Sequence, residues 1–157
     1  MLKIKVMVID RTKAAFLKQG EDFYKERLKH YASLEWVELK PVKIVKNKTD
    51  MEIIAAEAQI IRKSLQARDY LIALDRSGES PGSAELAEWL SRLSLNNQGV
   101  ITFLIGGPLG LDRELLGQAR KIFSLSKLTL THEMSRLILL EQLYRAFTIL
   151  KGEKYHK

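Results

Sequence analysis

Short apolar runs alternate with longer segments of helical period along the whole chain, and this order limits the possible folds more than any other feature. The clearest run, Val100–Ile105, holds five apolar residues and one threonine. Apolar runs that lie between amphipathic helices are typical of parallel strands buried on both faces. The sequence therefore predicts an α/β fold, with a mainly parallel sheet and helices on both of its faces.

Strands and helices are expected in strict alternation. The predicted strands are 2–9, 36–45, 70–74, 100–105 and 121–125, and the predicted helices are 16–31, 49–66, one that Pro81 starts, a short one that Asp112 caps, and 131–150. Thr49 and Glu52 have the spacing of a capping box. Pro41 places the second strand at a sheet edge or ends it early, because proline donates no backbone hydrogen bond. With 157 residues, the chain is expected to form one domain, 1–157.

The last predicted helix carries more apolar residues than one face can hold. They are Leu137, Ile138, Leu139, Leu140, Leu143, Tyr144, Phe147, Ile149 and Leu150. The core of one domain is not expected to cover all of them. A second subunit is the simplest cover, so the sequence predicts a homodimer.

The charge balance favours a polyanionic partner. Lys and Arg number 26 against 19 Asp and Glu, a formal net charge of +7, and nucleic acid is the commonest polyanion bound by basic domains. The absence of cysteine excludes disulfides, thiolate metal sites and cysteine nucleophiles. The N-terminal residues do not resemble a signal peptide, and no run approaches 18 uncharged apolar residues. We therefore expect a cytoplasmic protein without a membrane partner.

Two familiar catalytic patterns are rejected on physical grounds. Residues 78–82 match the G-x-S-x-G nucleophile elbow, but Pro81 follows the serine and has no N–H for an oxyanion hole. His30, His132 and His156 are too far apart in sequence to place two metal ligands on one helix face. We therefore interpret Ser80 as part of a helix start and expect no metal site.

Three segments remain as candidate functional sites. The loop 106–110 follows the strongest strand, at the position where ligands of parallel α/β sheets bind. A small-molecule site and a bare turn are equally open there. The stretch 125–132 could be a connecting loop, and the tail 153–157 could be a frayed end. Arg136 and Arg145, on the last helix, could form a solvated or ion-paired face.

A series of short motifs runs through the second half of the chain. They are Leu74-Asp75-x-x-Gly78, Ile105-Gly106-Gly107-Pro108-x-Gly110, Leu125-Ser126-Lys127-Leu128-Thr129, His132, Arg136, Glu141-Gln142-x-Tyr144-Arg145-Ala146 and Tyr155-His156-Lys157. Together they resemble the RlmH family of SPOUT methyltransferases, over essentially the whole chain. The resemblance implies methylation, dependent on S-adenosylmethionine, of N3 of a pseudouridine in large-subunit ribosomal RNA on assembled ribosomes. It also implies a homodimer and a trefoil knot in the C-terminal half, although threaded chains are rare in general.

The resemblance also implies roles for individual residues. The cofactor site would be formed by Leu74, Gly106, Leu125, Ser126, Lys127, Leu128, Thr129 and Leu130. The catalytic candidates are His156, Tyr155 and Glu141, because the target N3 must lose a proton. We favour a tail pair, Tyr155 and His156, supplied by the partner subunit. RNA contacts are expected from His132, Arg136 and Arg145, since arginine holds phosphates through its planar donor fork.

The chain departs from many relatives at three positions. Leu109 stands where an acidic or polar residue is common, Thr131 where proline is common, and Glu79 where lysine is common. Thr131 affects the rigidity of the loop before His132, and Glu79 affects the charge near Gly78. Two other functions stay open: a ribosome-binding or RNA-binding dimer without catalysis, and a SPOUT methyltransferase that acts on another RNA, such as tRNA.

Overall fold

The structure is a computed structural model that describes residues 1–96 and 99–157. Within these residues, the strands lie in a single parallel sheet. They are β1 (Leu2–Ile9), β2 (Ala32–Leu39), β3 (Asp69–Glu79), β4 (Val100–Ile105) and β5 (Lys121–Phe123). Their order is β2-β1-β4-β3-β5, and every neighbouring pair is parallel. The predicted parallel sheet is confirmed. The knot stays a prediction, because strand order alone does not define how the chain is threaded.

Helices cover both faces of the sheet, as predicted. They are α1 (Ala15–Leu28), α2 (Asp50–Ser64), α3 (Ser83–Asn96), α4 (Arg113–Gln118) and α5 (His132–Leu150). On one face, Leu28 of α1, Leu90 of α3 and Leu143 of α5 join one buried cluster. On the other face, Ile61 of α2 and Leu115 of α4 join a second cluster. Within the described residues, no helix has the length and apolar character needed to cross a membrane.

Side chains cap the helices at the positions that the sequence indicates. The Thr49 N–H donates to Glu52 Oε2 at 2.8 Å and the Glu52 N–H donates to Thr49 Oγ1 at 3.2 Å, which completes the predicted capping box of α2. Asp112 accepts the Leu115 N–H at 3.1 Å and so caps α4. Each cap satisfies a backbone donor that the first helical turn leaves unpaired.

Several element boundaries differ from the prediction. The strand expected at 36–45 is Ala32–Leu39, paired with β1 from Leu2 to Ile9, and it ends before Pro41. It is an edge strand, as Pro41 indicates. Smaller shifts occur elsewhere: α1 ends at Leu28, α3 begins at Ser83 and β5 ends at Phe123. Tertiary pairing with β1, which propensity does not report, sets the length of β2.

The largest difference is the length of β3, which continues past the apolar run to Glu79. Leu74 and Glu79 both pair with Phe123, so the register shifts between them. The extension lies very close to β5: a Cβ placed on Gly78 would be 2.5 Å from the backbone carbonyl of Ile122. Glycine therefore permits this pairing, although five residues of mixed polarity gave no strand signal.

The apolar surface of α5 is only partly covered within one chain. The helix packs against α1, α3 and the sheet, which buries Leu139, Leu140, Leu143 and Phe147. The other apolar residues of the helix are half-buried or exposed, and they are Leu137, Ile138, Tyr144, Ile149 and Leu150. One domain core thus does not cover all of these residues, as expected, and the homodimer stays a prediction.

Candidate functional site

A cleft of about 710 Å³ lies at the edge of the sheet where β4 and β5 end, beside residues 74–76 of β3. Its walls come from residues 74–76, 105–111, 123–126 and 128–132, with Ser135 on α5. Because all strands are parallel, their carboxyl ends meet at this edge, which is the usual ligand position in α/β sheets. The volume lies within the range of small-molecule sites, roughly 300–1,000 Å³.

The glycines of the loop 106–110 shape one wall. The Gly110 N–H donates to the Gly107 carbonyl oxygen at 3.0 Å and closes a tight turn. Gly110 has a φ of 85°, which disfavours other residues. A Cβ on Gly106 would lie 3.0 Å from the Gly110 carbonyl carbon and oxygen. The turn therefore depends on glycine, and it leaves backbone exposed beside the cleft.

Local hydrogen bonds hold the opposite wall, the loop after β5. The Ser124 hydroxyl donates to the Ser126 carbonyl oxygen at 2.9 Å, and the Leu128 N–H donates to Ser126 Oγ at 3.0 Å. Arg76 reaches across from β3 and donates to Thr129 Oγ1 at 3.5 Å. The loop is thus preformed, which lowers the entropic cost of binding a ligand.

The structure brings together most of the residues expected at a cofactor site. Those that line the cleft are Leu74, Gly106, Leu125, Ser126, Leu128, Thr129 and Leu130. Lys127 lies in the same loop but is not among the lining residues. Arg76 lines the cleft and was missed, although its place two residues after the predicted strand end could have indicated it.

Arg136 does not lie where an RNA contact requires. Its side chain is fully buried. The guanidinium donates to the carbonyl oxygens of Ile9 at 2.7 Å and Asp10 at 3.1 Å, and to Thr12 Oγ1 at 3.0 Å. The Thr12 hydroxyl in turn donates to Glu21 Oε1 at 2.7 Å. The expected phosphate contact does not fit this position, because the arginine's donors face the protein interior.

The first turn of α5 is fixed beside the cleft. Glu133 Oε1 accepts the N–H groups of Lys13 at 2.8 Å and Ala14 at 3.1 Å, which joins α5 to the start of α1. These bonds lower the pKa of the Glu133 carboxyl. His132 lines the cleft, and its burial, followed by the nearby Arg136 charge, lowers the pKa of the imidazole. Both effects favour the uncharged ring at neutral pH.

The three catalytic candidates lie together, from the middle of α5 to the segment that follows it. Arg145 donates to Glu141 Oε1 at 2.7 and 3.0 Å, and the Tyr155 hydroxyl donates to the same oxygen at 3.1 Å. His156 Nδ1 lies 3.3 Å from Arg145 Nη1. Burial, and then the hydrogen bonds with Tyr24 and Glu141, raise the pKa of Tyr155 well above its usual value. We call Glu141, Arg145, Tyr155 and His156 the tail cluster.

The tail cluster is displaced along α5 from the cleft of the same chain. An α-helix rises about 1.5 Å per residue, so Glu141 lies about 14 Å, and Arg145 about 20 Å, along the axis from His132. The tail leaves α5 after Leu150, at the end remote from the cleft. One chain therefore carries two separate groups of candidate residues, a cleft and a tail cluster.

The structure accommodates the three departures from the family pattern. Thr131 has a φ of −63°, the angle that proline adopts, and its hydroxyl accepts the Met134 N–H at 3.1 Å. The cap therefore orders the start of α5 without proline. Glu79 forms an ion pair with Lys121 at 3.5 Å. Leu109 lies partly exposed on the turn between Gly107 and Gly110.

Glu57 is a further residue that sequence reasoning missed. It lies buried on α2, and a Cβ on Gly107 would lie 3.4 Å from both of its carboxylate oxygens. Burial raises the pKa of Glu57. A sequence signal exists, because Glu57 lies four residues from both Ile53 and Ile61 on the apolar face of α2. Among the residues the structure describes, no group of three His, Cys, Asp or Glu side chains could hold a metal ion.

Comparisons with known proteins agree with this architecture. The family described as "Predicted SPOUT methyltransferase" matches residues 2–156. Ribosomal RNA large subunit methyltransferase H of Clostridioides difficile is 42% identical, with 99% of this chain and 100% of the relative covered. The protein of that name from Thermotoga neapolitana is 41% identical, with 90% and 91% covered.

Solved structures show the same fold at low sequence identity. A probable methylase family protein from Haemophilus influenzae superposes with a TM-score of 0.57 at 16% identity, covering 99% of this chain and 69% of that one. A probable methyltransferase from Bordetella pertussis also gives 0.57, at 13% identity, covering 92% and 96%. With the family match over almost every residue, the conclusion is that this chain belongs to the SPOUT methyltransferase family.

Proposed function

We propose that the protein transfers a methyl group from S-adenosylmethionine to large-subunit ribosomal RNA. The observation that carries the proposal is the preformed cleft where β4 and β5 end beside β3, with the glycine turn on one side and the loop after β5 on the other. The names of the relatives, ribosomal RNA large subunit methyltransferase H, support the RNA class. The net charge of +7 suits a polyanionic substrate.

The residues of the cleft fit this cofactor. Leu74, Leu125, Leu128 and Leu130 supply apolar walls for a flat heterocycle, and the glycine turn exposes backbone for polar contacts. A side chain at Gly106 would enter the crowded space beside Gly110. When bound, S-adenosylmethionine supplies an electrophilic methyl group and a neutral thioether leaving group. The chain's own residues therefore need to orient the acceptor and accept its proton.

The acceptor we propose is N3 of a pseudouridine, which carries a weakly acidic proton. The raised pKa of Tyr155 keeps its hydroxyl protonated at neutral pH, so this residue acts as a hydrogen-bond donor to the base and not as the proton acceptor. His156 and Glu141 are the groups in the tail cluster whose side chains can act as a base, so one of them, or water held by them, takes the N3 proton. Arg145 orients Glu141 through two hydrogen bonds.

We propose a homodimer in which the cleft of one subunit meets the tail cluster of the other. The displacement along α5 places the tail cluster away from the cleft of the same chain, and it supports our inference that the partner subunit's tail completes each site. Phe16 and Phe23 lie four residues before and three residues after Gly20 on α1, with 67% and 48% of their surfaces exposed. Gly20 packs closely against Leu137 of α5. This apolar face of α1 and α5 suits a second copy of the chain.

We propose that the reaction takes place on the assembled ribosome in the cytoplasm. Two other functions predict different outcomes in one experiment, the transfer of labelled methyl groups from S-adenosylmethionine to whole ribosomes, free ribosomal RNA and tRNA. Label on ribosomes, with methylated pseudouridine found by mass spectrometry of the nucleosides, supports the proposal. Label on tRNA alone indicates a methyltransferase with another target.

A pair of glycine variants controls the experiment. Gly106→Trp places a bulky ring against the glycine turn that lines the cleft and should abolish transfer, whereas Gly82→Trp places the same ring where no atom lies within 4 Å of the Cβ position and should retain it. Absence of label on every RNA, with ribosome binding intact, would leave a non-catalytic binding protein and overturn the proposal.

A further inference from the structure

The segment 40–48, here named the lysine loop, concentrates positive charge on the surface. It connects β2 to α2 and holds Lys40, Lys43, Lys46 and Lys48 but no acidic residue. All four lysines are exposed, and none of them belongs to an ion pair within the described part of the chain. Four charges in nine residues therefore remain without neutralising partners.

Packing does not explain the composition of the lysine loop. Ile44 and Val45 occupy its middle, and 78% and 47% of their surfaces are exposed. The loop therefore contributes little to either core. A segment that is cationic, acid-free and hardly buried is better suited to contact an external polyanion.

The lysine loop lies at the same edge of the sheet as the cleft. It follows β2, and in a parallel sheet the segments that follow β2, β1, β4 and β5 share one edge. Strands are spaced about 4.8 Å apart, so the end of β2 lies about 10 Å from the end of β4, where the glycine turn begins. The loop therefore flanks the cleft without lining it.

Hydrogen bonds fix the start of the lysine loop relative to the cleft. The Asp10 N–H donates to the carbonyl oxygen of Leu39, the residue before Lys40, at 2.7 Å. The Asp10 carbonyl oxygen accepts from Arg136 at 3.1 Å, one helical turn from His132 at the cleft. The loop begins on a rigid part of the protein.

We propose that the lysine loop docks the backbone phosphates of the ribosomal RNA next to the modified nucleotide, an inference that rests on the proposed function. Lysine binds phosphate as a point charge, without reading sequence. Screening at physiological salt limits the reach of each charge to about 8 Å, so the loop strengthens RNA binding and leaves the methyl-transfer step unchanged. The expected signature is an increased KM for ribosomes with an unchanged kcat.

The test compares two variants that lose the same charge. The loop variant carries Lys40→Gln, Lys43→Gln, Lys46→Gln and Lys48→Gln. The control variant carries Lys3→Gln, Lys29→Gln, Lys63→Gln and Arg68→Gln, all exposed and near the opposite edge of the sheet. Kinetics of methyl transfer and ribosome binding by cosedimentation are measured for both at several salt concentrations.

We expect the loop variant to bind ribosomes about 10- to 100-fold more weakly, with the slope of log affinity against log salt reduced by about 0.7 for each lost phosphate contact. The control variant should retain most of its affinity. Equal losses in both variants, or no loss in the loop variant, would overturn the inference. Cosedimentation measures ribosome binding without methyl transfer. Even if the wild-type protein proves inactive as a methyltransferase, the assay still shows whether the lysine loop contributes to ribosome binding, so failure of the proposed function and failure of this inference give different results.

A further experiment tests whether the lysine loop binds an anionic lipid surface instead of RNA. Wild-type protein is mixed with vesicles that contain phosphatidylserine, since lysines beside an exposed isoleucine could also contact a lipid surface. We expect no vesicle binding that depends on the loop. Vesicle binding that the loop variant loses, together with unchanged ribosome binding, would overturn the assignment to RNA.

Discussion

Arg136 donates a hydrogen bond of 2.7 Å to the carbonyl oxygen of Ile9, and this buried contact joins α5 to the last residue of β1. Thr12 links the same guanidinium to the buried carboxylate of Glu21. Arg136→Met should cost about 3–5 kcal/mol of unfolding free energy, because it leaves the carbonyl oxygens of Ile9 and Asp10 without their donor and removes the positive charge near buried Glu21. Urea denaturation followed by circular dichroism measures the change.

An exposed ion pair provides the comparison for this loss. Lys18 and Asp22 lie one turn apart on α1 at 2.5 Å, with about half of each side chain exposed. Solvent screens such pairs, so Lys18→Met should cost no more than about 1 kcal/mol. A cost for Arg136→Met as small as that of Lys18→Met would show that the buried network does not hold α5 in place.

Gly78 controls the approach of β3 to β5. Gly78→Ala places a methyl group 2.5 Å from the backbone carbonyl of Ile122 and should cost about 1–3 kcal/mol, because the backbone must move. Cofactor affinity should fall as well, since the end of β5 leads into the wall of the cleft. Thermal unfolding and calorimetric titration with S-adenosylmethionine measure the two effects.

Gly117→Ala is the matched control for this substitution. It adds the same methyl group inside α4, where nothing lies within 4 Å, and alanine favours helix. We expect a gain of about 0.5–1 kcal/mol from Gly117→Ala. If Gly78→Ala is as well tolerated, the close contact between the strands has no energetic consequence.

Glu57 should make stability depend on pH in the direction opposite to that of most carboxylates. Burial raises its folded-state pKa above 4.5, so the folded protein binds the proton more tightly than the unfolded chain does. Stability is then lost as pH rises from the unfolded pKa through the folded one. Glu57→Gln, which stays neutral, should raise the melting temperature at about pH 8 and leave it nearly unchanged at about pH 4.

Glu88→Gln, an exposed change on α3, controls for general effects of removing one negative charge. It should alter the melting temperature little at either pH. A Glu57→Gln variant that is less stable than wild type at about pH 8 would indicate that the carboxylate is stabilised by its position.

Local signals in the sequence predicted most of the fold. The capping box of α2, the Asp112 cap and the apolar run of β4 each specify an element through neighbouring residues. The second half of β3 had no such signal, because its pairing depends on β5, more than 40 residues away. Family motifs were enough to propose the residues that line the cleft. Their proximity to one another, however, depends on how β3, β4 and β5 pair in the sheet.

Arg136 shows where the sequence misleads. The residues alone suggest a solvated or ion-paired face, and the family resemblance implies a phosphate contact. Its neighbours in space are instead the carbonyl oxygens of Ile9 and Asp10. Those partners are more than 120 positions away in sequence. Burial of a charged side chain is therefore a property of the tertiary contacts, which no local pattern reports.

The separation of cleft and tail cluster leads to a test with mixed subunits. One chain carries Gly106→Trp and an intact tail, and the other carries Tyr155→Ala and His156→Ala with an intact cleft. Coexpression with two different affinity tags yields heterodimers in which only one site can combine an intact cleft with an intact partner tail. If each tail serves the partner's cleft, these heterodimers should recover about half of the wild-type rate, because one of two symmetric sites is restored.

The homodimers of each variant serve as controls and should both be inactive in methyl transfer to ribosomes. Recovery in the heterodimer excludes a tail that serves its own cleft, since then every site would contain either a blocked cleft or a substituted tail. A heterodimer as inactive as its parents would contradict the shared site. An active tail variant would remove Tyr155 and His156 from the catalytic assignment and leave proton acceptance to Glu141 or to water.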